Sequence, residues 1–410
     1  MEILQRVQAL QFSHKAAAET LLLEFLRANY SFSADAVAVE LRPLAVSLNS
    51  FNGFMTLANG QRYFFKTHIE SDGVIDEYYH AALLAEAGYP VLQPIFTSNE
   101  AGKQLLVYEV IGDPSVFDLA WAIETESSDL LPQLTRAQNQ ADDLLFQLYL
   151  NSLQDQSAED AERAPIHQLF YHRLTGGRLA RFYEGTQITL PDGVASMDTV
   201  RSARWIINGQ AYEPSLNKLI AAAIARLQPA QAGASIIGHG DAHNGNVFFR
   251  GETVPLMYFD PAFAGRHSPL LDLTKPLFHN VFAMWMYYPQ VKAAQTHISL
   301  KREGEMWHIK HDYALHPVRQ MFLRSKIKRT LTPILTELKR REWLRDDWRA
   351  YLKAALFCCP FLTMNLTDSA KFPPEICLLG LAMAVEMGGE SKGQRSLIDQ
   401  TLDEVERAIR

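Results

Sequence analysis

The chain opens on an amphipathic pattern: from Met1 to Leu26, MEILQRVQALQFSHKAAAETLLLEFL, apolar positions recur at helical spacing and predict a helix. From about Leu44 to Ile111 the period changes. LAVSLN, FMTLA and QRYFFKT read as strands, and Asn59-Gly60 between the last two is a two-residue hairpin signal. A helix is predicted from Ile75 to Ala87, stopped by Gly88 and Pro90. Two more strands, VLQPIF and LLVYEVI, follow, joined by a polar turn from Asn99 to Gly102. From Asp113 onward helical patterns dominate, as in LLPQLTRAQNQADDLLFQLYL from Leu130 and PVRQMFLRSKIKRTLTPILTELKRREWL from Pro317. A patch from Ser235 to Asp260 is the lone strand-rich exception. The polar stretch from Gln154 to Ala164 and the loop-like one from Gly185 to Ser202 read as surface excursions or a mobile lid.

This pattern divides the chain into a helical segment 1–34, a strand-rich unit 35–111 and a mainly helical unit 112–410. A length of 410 residues exceeds what one core usually serves, so two lobes with a ligand cleft are expected. The most apolar stretches, LFHNVFAMWMYY from Leu277 and ICLLGLAMAV from Ile376, are too short for a bilayer, which takes roughly 20 residues. They read as buried core helices, and no membrane partner is expected. A hydrophobic fraction of 48% with 21% charged residues is that of a soluble globular protein. A net charge of -7 argues against nucleic acid, which needs a basic face. Cys358, Cys359 and Cys377 cannot form a disulfide framework, and the N-terminus lacks a signal-peptide layout, so a cytoplasmic protein is expected.

The run that carries chemistry is IIGHGDAHNGNVFFR, from Ile236 to Arg250, followed by VPLMYFDPAFAGRHSPLLDL, from Val254 to Leu273. VFF and PLMYF flank a turn at Gly251, so a hairpin should return Asp241, Asn246 and Asp260 to one end. Phosphoryl transfer needs Mg²⁺ against phosphate oxygens and a group that orients the attacking hydroxyl. Hard cations take carboxylate and carboxamide oxygens. His239-x-Asp241 with Asn246 five residues after the Asp has the spacing of a kinase catalytic loop, in which the Asp accepts the hydroxyl proton and the Asn holds metal, and Asp260 stands where the metal-binding aspartate after the next strand would lie.

HGDAHNGN, from His239 to Asn246, resembles the signature of aminoglycoside phosphotransferases and their relatives, the choline, homoserine, fructosamine and thiamine kinases. FDPAFAGRHSPLLDL, from Phe259, resembles the metal-binding segment of the same group. The resemblance implies an α+β, protein kinase-like two-lobe fold: a small antiparallel-sheet N-lobe with one key helix, and a large, mainly helical C-lobe. It implies an ATP-dependent transfer of the γ-phosphoryl group from Mg-ATP to a hydroxyl of a small molecule: aminoglycoside, sugar, amino alcohol or related metabolite. Asp241 would be catalytic, and Asn246 and Asp260 would hold Mg²⁺. Lys66 on the third predicted strand would contact the nucleotide phosphates, with Glu77 as its ion-pair partner and Glu86 the fallback. SLNSFNGF, from Ser47, would be the loop over the phosphates, with Asn52 and Gly53 facing them. Backbone groups of Glu109 to Ile111 would meet the purine. The acceptor would lie among the late helices, near Tyr171, Arg173 and Asp118.

Blander readings stand beside these. Asp241 and Asn246 taken singly suit turns and caps, and Lys66 alone would be a surface lysine. His239 and His243 are expected to orient the loop by hydrogen bonds rather than to bind metal, and Asp272 to be structural. The basic run Arg324, Lys326, Lys328, Arg329, Lys339, Arg340 and Arg341 reads as a solvated helix face. A metallophosphoesterase would need an Asp-x-His upstream of Asp241, which the chain lacks. The remaining rival is a catalytically impaired nucleotide-binding pseudokinase or regulatory module, favoured by the glycine-poor loop.

Overall fold

The structure, a computed structural model, describes residues 2–42, 50–68, 77–100, 103–126, 129–251 and 255–410. It is 51% helical and 21% strand, an α+β chain with several small, mainly antiparallel sheets. It divides into two compact units, Met1–Glu86 with Val91–Asp113, and Ala87–Pro90 with Pro114–Arg410.

The first unit begins with two helices, α1 (Glu2–Leu10) and α2 (Lys15–Asn29), where the sequence pattern suggests one. The chain turns at residues 11–14, with the Ser13 and His14 amides both donating to the Leu10 carbonyl. A five-stranded antiparallel sheet follows, built from β1 (Ala36–Leu41), β2 (Ser50–Leu57), β3 (Arg62–His68), β4 (Phe96–Glu100) and β5 (Lys103–Glu109), in the order β1-β2-β3-β5-β4. Leu22, Phe25 and Leu26 of α2 share one apolar core with Phe51, Met55, Phe65 and Val107 of the sheet. The segment 1–34 therefore supplies half of this unit's core. The Asn59-Gly60 turn joins β2 to β3, with Gly60 at φ +83° and Asn59 Oδ1 accepting the Gln61 amide at 2.9 Å.

The strand AVAVEL precedes β2, and LAVSLN, residues 44–49, lies outside the described residues. One expectation needs correction. Asn52 and Gly53, expected in a phosphate-covering loop, lie inside β2, opposite Lys66 and Phe65 of β3. Gly53 is there because β1 comes close: a Cβ would stand 2.4 Å from the Glu40 carbonyl oxygen. The helix α3 (Glu77–Glu86) stops ahead of Gly88, which takes φ +95°.

The second unit holds more strand than its sequence suggests. A five-stranded sheet orders Ile298–Glu303, Met306–His311, Arg204–Ile207, Gln210–Tyr212 and Ser391–Gly393, and its parallel pair lies between the second and third. The stretch expected as a loop or lid from Gly185 contains the hairpin Gln187–Leu190 with Gly193–Ser196 and the helix Met197–Ser202. Gln154–Gln156 joins Gly233–Gly238 and Gly265–His267 in a three-stranded sheet. The helices Trp348–Leu362 and Pro374–Gly388 pack against each other in the core. LFHNVFAMWMYY is split: one helix ends at His279 and a short one covers Met284–Tyr287.

The basic run is not a solvated face throughout. Helix Pro317–Lys326 continues through a π-helical stretch, Ile327–Leu331, into Thr332–Arg340. Lys326 is buried in an ion pair with Asp142, whose other oxygen accepts the Ser325 hydroxyl at 2.6 Å. Thr330 bonds the Asp142 carbonyl at 3.2 Å. The wider π turn brings residues five apart onto one partner.

Candidate active site

The strand Gly233–Gly238 delivers the chain to His239, and Gly240 makes the bend. Gly240 takes φ +80°, and a Cβ there would lie 2.4 Å from the Phe263 carbonyl oxygen. Its amide donates to Asp272 Oδ1 at 2.6 Å. Asp272, fully buried, also faces His267 Nε2 at 3.0 Å and accepts the Tyr149 hydroxyl. Burial would raise its pKa, yet these donors hold it below the ordinary carboxylate value. Asp272 thus fixes the bend while remaining remote from solvent.

Both histidines act on the backbone. His239 Nε2 lies 2.9 Å from the Phe259 carbonyl, which requires the proton on that nitrogen and leaves Nδ1 to face the Asp241 amide at 3.4 Å. His243 Nδ1 accepts the Gly245 amide at 3.1 Å and caps the turn Asn244–Asn246. Asn280 Oδ1 accepts the Asn244 amide at 2.7 Å.

The hairpin Val247–Phe249 with Leu256–Tyr258 begins directly after Asn246 and ends two residues before Asp260. At its open end the Phe259 amide donates to the Asn246 carbonyl at 2.9 Å. Asn246 Nδ2 donates to the Asp241 carbonyl at 3.0 Å, so its side-chain oxygen is left for another partner. Asp260 sits at φ +55°, a left-handed conformation uncommon for a non-glycine residue. Thus Asp241, Asn246 and Asp260 are gathered at one end of one hairpin.

Asp241 does not stand alone. Lys275 Nζ lies 3.5 Å from its Oδ1 and His243 Nε2 4.0 Å from its Oδ2. Burial would raise the Asp241 pKa; Lys275, then His243, Arg173 and His239, outweigh it and hold the carboxyl below its ordinary value. Burial pushes the Lys275 pKa down, against the pull of Asp241. His279 Nε2 is 3.4 Å from Lys275 Nζ, and its Nδ1 is 2.7 Å from the Tyr287 hydroxyl. An ammonium only donates, so Nε2 accepts and Nδ1 carries the proton. Burial, reinforced by Lys275, holds His279 neutral. Lys275 and His279 escaped the sequence reading, although Asp272, Lys275 and His279 fall three and four residues apart on the helix Pro269–His279. Of the acceptor guesses, Arg173 lies near Asp241 and reaches Thr363 Oγ1 at 3.4 Å. Asp118 lies in the first turn of the helix Val116–Glu126, with its amide donating to Ser115 Oγ at 3.0 Å and its carboxylate accepting that hydroxyl at 2.7 Å, and Tyr171 begins the helix Tyr171–Thr175.

The nucleotide candidates belong to the first unit. Lys66 is buried on β3, between Asn52 and Leu106 of the neighbouring strands. Asn52 Oδ1 is a buried acceptor without a hydrogen-bond partner among the described residues. Glu77 opens α3, but its side chain lies outside the described residues, and Glu86 is exposed at that helix's end. Glu109 closes β5 and is exposed; Ile111 follows it, half-buried.

Hard-cation chemistry fits the donors Asn246 and Asp260, one carboxamide oxygen and one carboxylate. Among the described residues no group of three or more His, Cys, Asp or Glu side chains is placed to hold a metal ion. Such a site would take its remaining ligands from phosphate and water, as Mg²⁺ sites do.

No family model matches the sequence, and no curated protein does. Among solved structures the chain is similar to a protein described as a fructosamine-3-kinase from Thermobifida fusca, with 13% identity over 86% of this chain and 93% of that one and a TM-score of 0.36. A type I macrolide 2′-phosphotransferase aligns with 12% identity, 82% and 96% coverage and a TM-score of 0.36. An ethanolamine kinase from Plasmodium vivax aligns with 8% identity, 90% and 82% coverage and a TM-score of 0.37. These structural neighbours are small-molecule kinases of the aminoglycoside phosphotransferase and choline kinase-like fold.

Proposed function

We propose that the chain is an ATP-dependent small-molecule kinase that moves the γ-phosphoryl group of Mg-ATP to a hydroxyl of an aminoglycoside, sugar, amino alcohol or related metabolite. The observation that carries this reading is the gathering of Asp241, Asn246 and Asp260 at the open end of one hairpin. Asp241 is partly exposed and held anionic by Lys275, so it accepts a hydrogen bond from the acceptor hydroxyl and aims its oxygen at the phosphorus. As the new P–O bond forms and the bond to ADP breaks, the hydroxyl proton passes to that carboxylate. A pKa below the usual range makes Asp241 a better orienting group than a strong base. Asn246 and Asp260 would hold Mg²⁺, which when bound neutralises phosphate charge. Lys66 would contact the phosphates, and Glu109 to Ile111 the purine.

A second reading, nucleotide binding without turnover, draws on the Lys275 ammonium that already faces Asp241. ADP release measured over a panel of hydroxylated metabolites separates the two. The kinase reading expects acceptor-stimulated turnover, reduced roughly 10²–10⁴-fold in Asp241→Asn. Absence of any stimulation, with no effect of that substitution, would leave only the second.

A further inference from the structure

A second cavity, of about 700 Å³, lies in the larger unit and shares no lining residue with the Asp241 cluster. Its walls are single faces of three helices: Leu323, Arg324, Ile327 and Lys328 on the run from Pro317, Glu386 on Pro374–Gly388, and Glu404 on Leu397–Ala408. The sheet closes it through His311. That volume is within the range of small-molecule sites.

Glu386 is what needs explaining. It is 9% exposed, and no hydrogen bond or ion pair reaches its carboxyl group among the described residues. The nearest cation is already committed: Lys353 pairs with Asp399 and gives Glu386 only a bond to its backbone carbonyl, at 3.2 Å. Its carboxyl oxygens are not sealed in the core but open onto the cavity, and a largely buried acid so placed marks a candidate functional group. On the same wall as the lining, His311 Nδ1 is buried without a partner, and burial keeps that ring neutral. At the rim Arg324 and Lys328 are exposed and form no ion pair among the described residues; Arg324 bonds only Gln320 Oε1, at 3.0 Å. The cavity therefore combines the acid Glu386, a wall that mixes Leu323, Ile327, Met383 and Leu397 with Gln320, Gln400 and Thr401, and the exposed Arg324, Lys328 and Glu404.

We propose that this cavity binds a small aliphatic zwitterion, its ammonium on Glu386 and its carboxylate toward Arg324 and Lys328. A simple amine would meet the rim cations, and a simple acid would meet Glu386; a molecule bearing both charges satisfies both ends. Burial raises the Glu386 pKa to about 7, against the pull of Lys353. Binding therefore requires loss of that proton and strengthens as pH rises. The titratable groups facing Glu386 are Lys353 on Trp348–Leu362, Asp399 on Leu397–Ala408 and the neutral Tyr212 on Gln210–Tyr212, with the neutral His311 and with Glu404, Arg324 and Lys328 lining the same cavity.

Calorimetric titration of the full chain with ω-aminoalkanoates, from β-alanine to aminooctanoate, tests this, with hexanoate and n-hexanol as controls. Saturable binding of at least one aminoalkanoate is expected near pH 8, falling about tenfold for each pH unit below 7. Glu386→Gln should weaken it at pH 8 and abolish its pH dependence while the variant melts no lower than the parent. Arg324→Gln with Lys328→Gln should weaken the aminoalkanoate and leave n-hexanol unchanged. No saturable binding at pH 8, equal binding of hexanoate or n-hexanol, or an unaltered Glu386→Gln profile would each overturn the proposal. None of these readouts involves phosphoryl transfer, so they stand apart from any result at Asp241.

Discussion

Lys275 is a buried ammonium with two neighbours, Asp241 at 3.5 Å and His279 Nε2 at 3.4 Å. Replacing it with Met removes the largest influence that holds the Asp241 pKa down. The acid limb of the pH–rate profile should then move to higher pH, and the carboxylate left behind should cost about 3–5 kcal/mol of stability. Lys275→Arg keeps the charge and should restore the limb; an unmoved limb in Lys275→Met would remove the positioning role. Glu386 works in the other sense. Its folded pKa of about 7 exceeds the unfolded value, so the folded chain keeps a proton that the unfolded chain releases. Stability is then highest below the unfolded value and falls as pH rises through 7. Glu386→Gln should match the parent near pH 4 and exceed it by about 3 kcal/mol near pH 8, from the shift converted at 1.36 kcal/mol per unit, as urea unfolding at both pH values would show.

Among elements, the helix Pro269–His279 does most to shape the site. Ser268 starts it by accepting the Leu270 amide at 3.3 Å, with Pro269 in its first turn. Asp272 on it fixes the Gly240 bend, and Lys275 faces Asp241. Asp272→Ala leaves the Gly240 amide, His267 and the Tyr149 hydroxyl without their acceptor, and should cost about 3–5 kcal/mol. Gly240→Ala meets the Phe263 carbonyl at a positive φ, and should abolish turnover before it abolishes folding. Thermal melting beside ADP release on both variants checks the order of loss. The hairpin after Asn246 was legible because two short apolar runs, VFF and PLMYF, flank Gly251. The sheet containing RWII and MWHIKH was not. Its strands lie far apart in sequence, and Trp205 and Trp307 are both buried, so neither strand announces its partner.

Across the molecule, buried ion pairs tie distant segments. Arg319 meets Glu124 at 2.8 Å, Lys326 meets Asp142 and Lys353 meets Asp399. Burial would raise the pKa of Glu124, but Arg319 and Lys292 bring it below the ordinary value; Lys353 does the same for Asp399. The stability these acids confer is present above their unfolded values and is lost as pH falls through the folded ones. His279 adds to this, since it stays neutral where the unfolded chain takes a proton below about pH 6.5. Between about pH 6.5 and 4.5 the proton that Glu386 keeps offsets the one that His279 refuses, so the melting temperature should fall chiefly below about pH 4.5, where Glu124→Gln should flatten the drop. A melting temperature independent of pH there would show that these pairs do not govern acid unfolding.

The candidate motif is local: His239 to Asn246 and Asp260 lie within a few turns of chain, so their spacing could be read along the sequence. The same holds for the Asn59-Gly60 turn and for Gly88 behind α3, where backbone conformation is set by one or two residues. What only the tertiary structure decided is long-range. Gly53 and Asn52 proved to be strand residues because β1 approaches their backbone, Lys326 was drawn inside by an acid 184 residues away, and Lys275 came to face Asp241 across the bend that Asp272 holds. Propensity and period report the neighbours in sequence, whereas burial and charge pairing depend on which segments fold together.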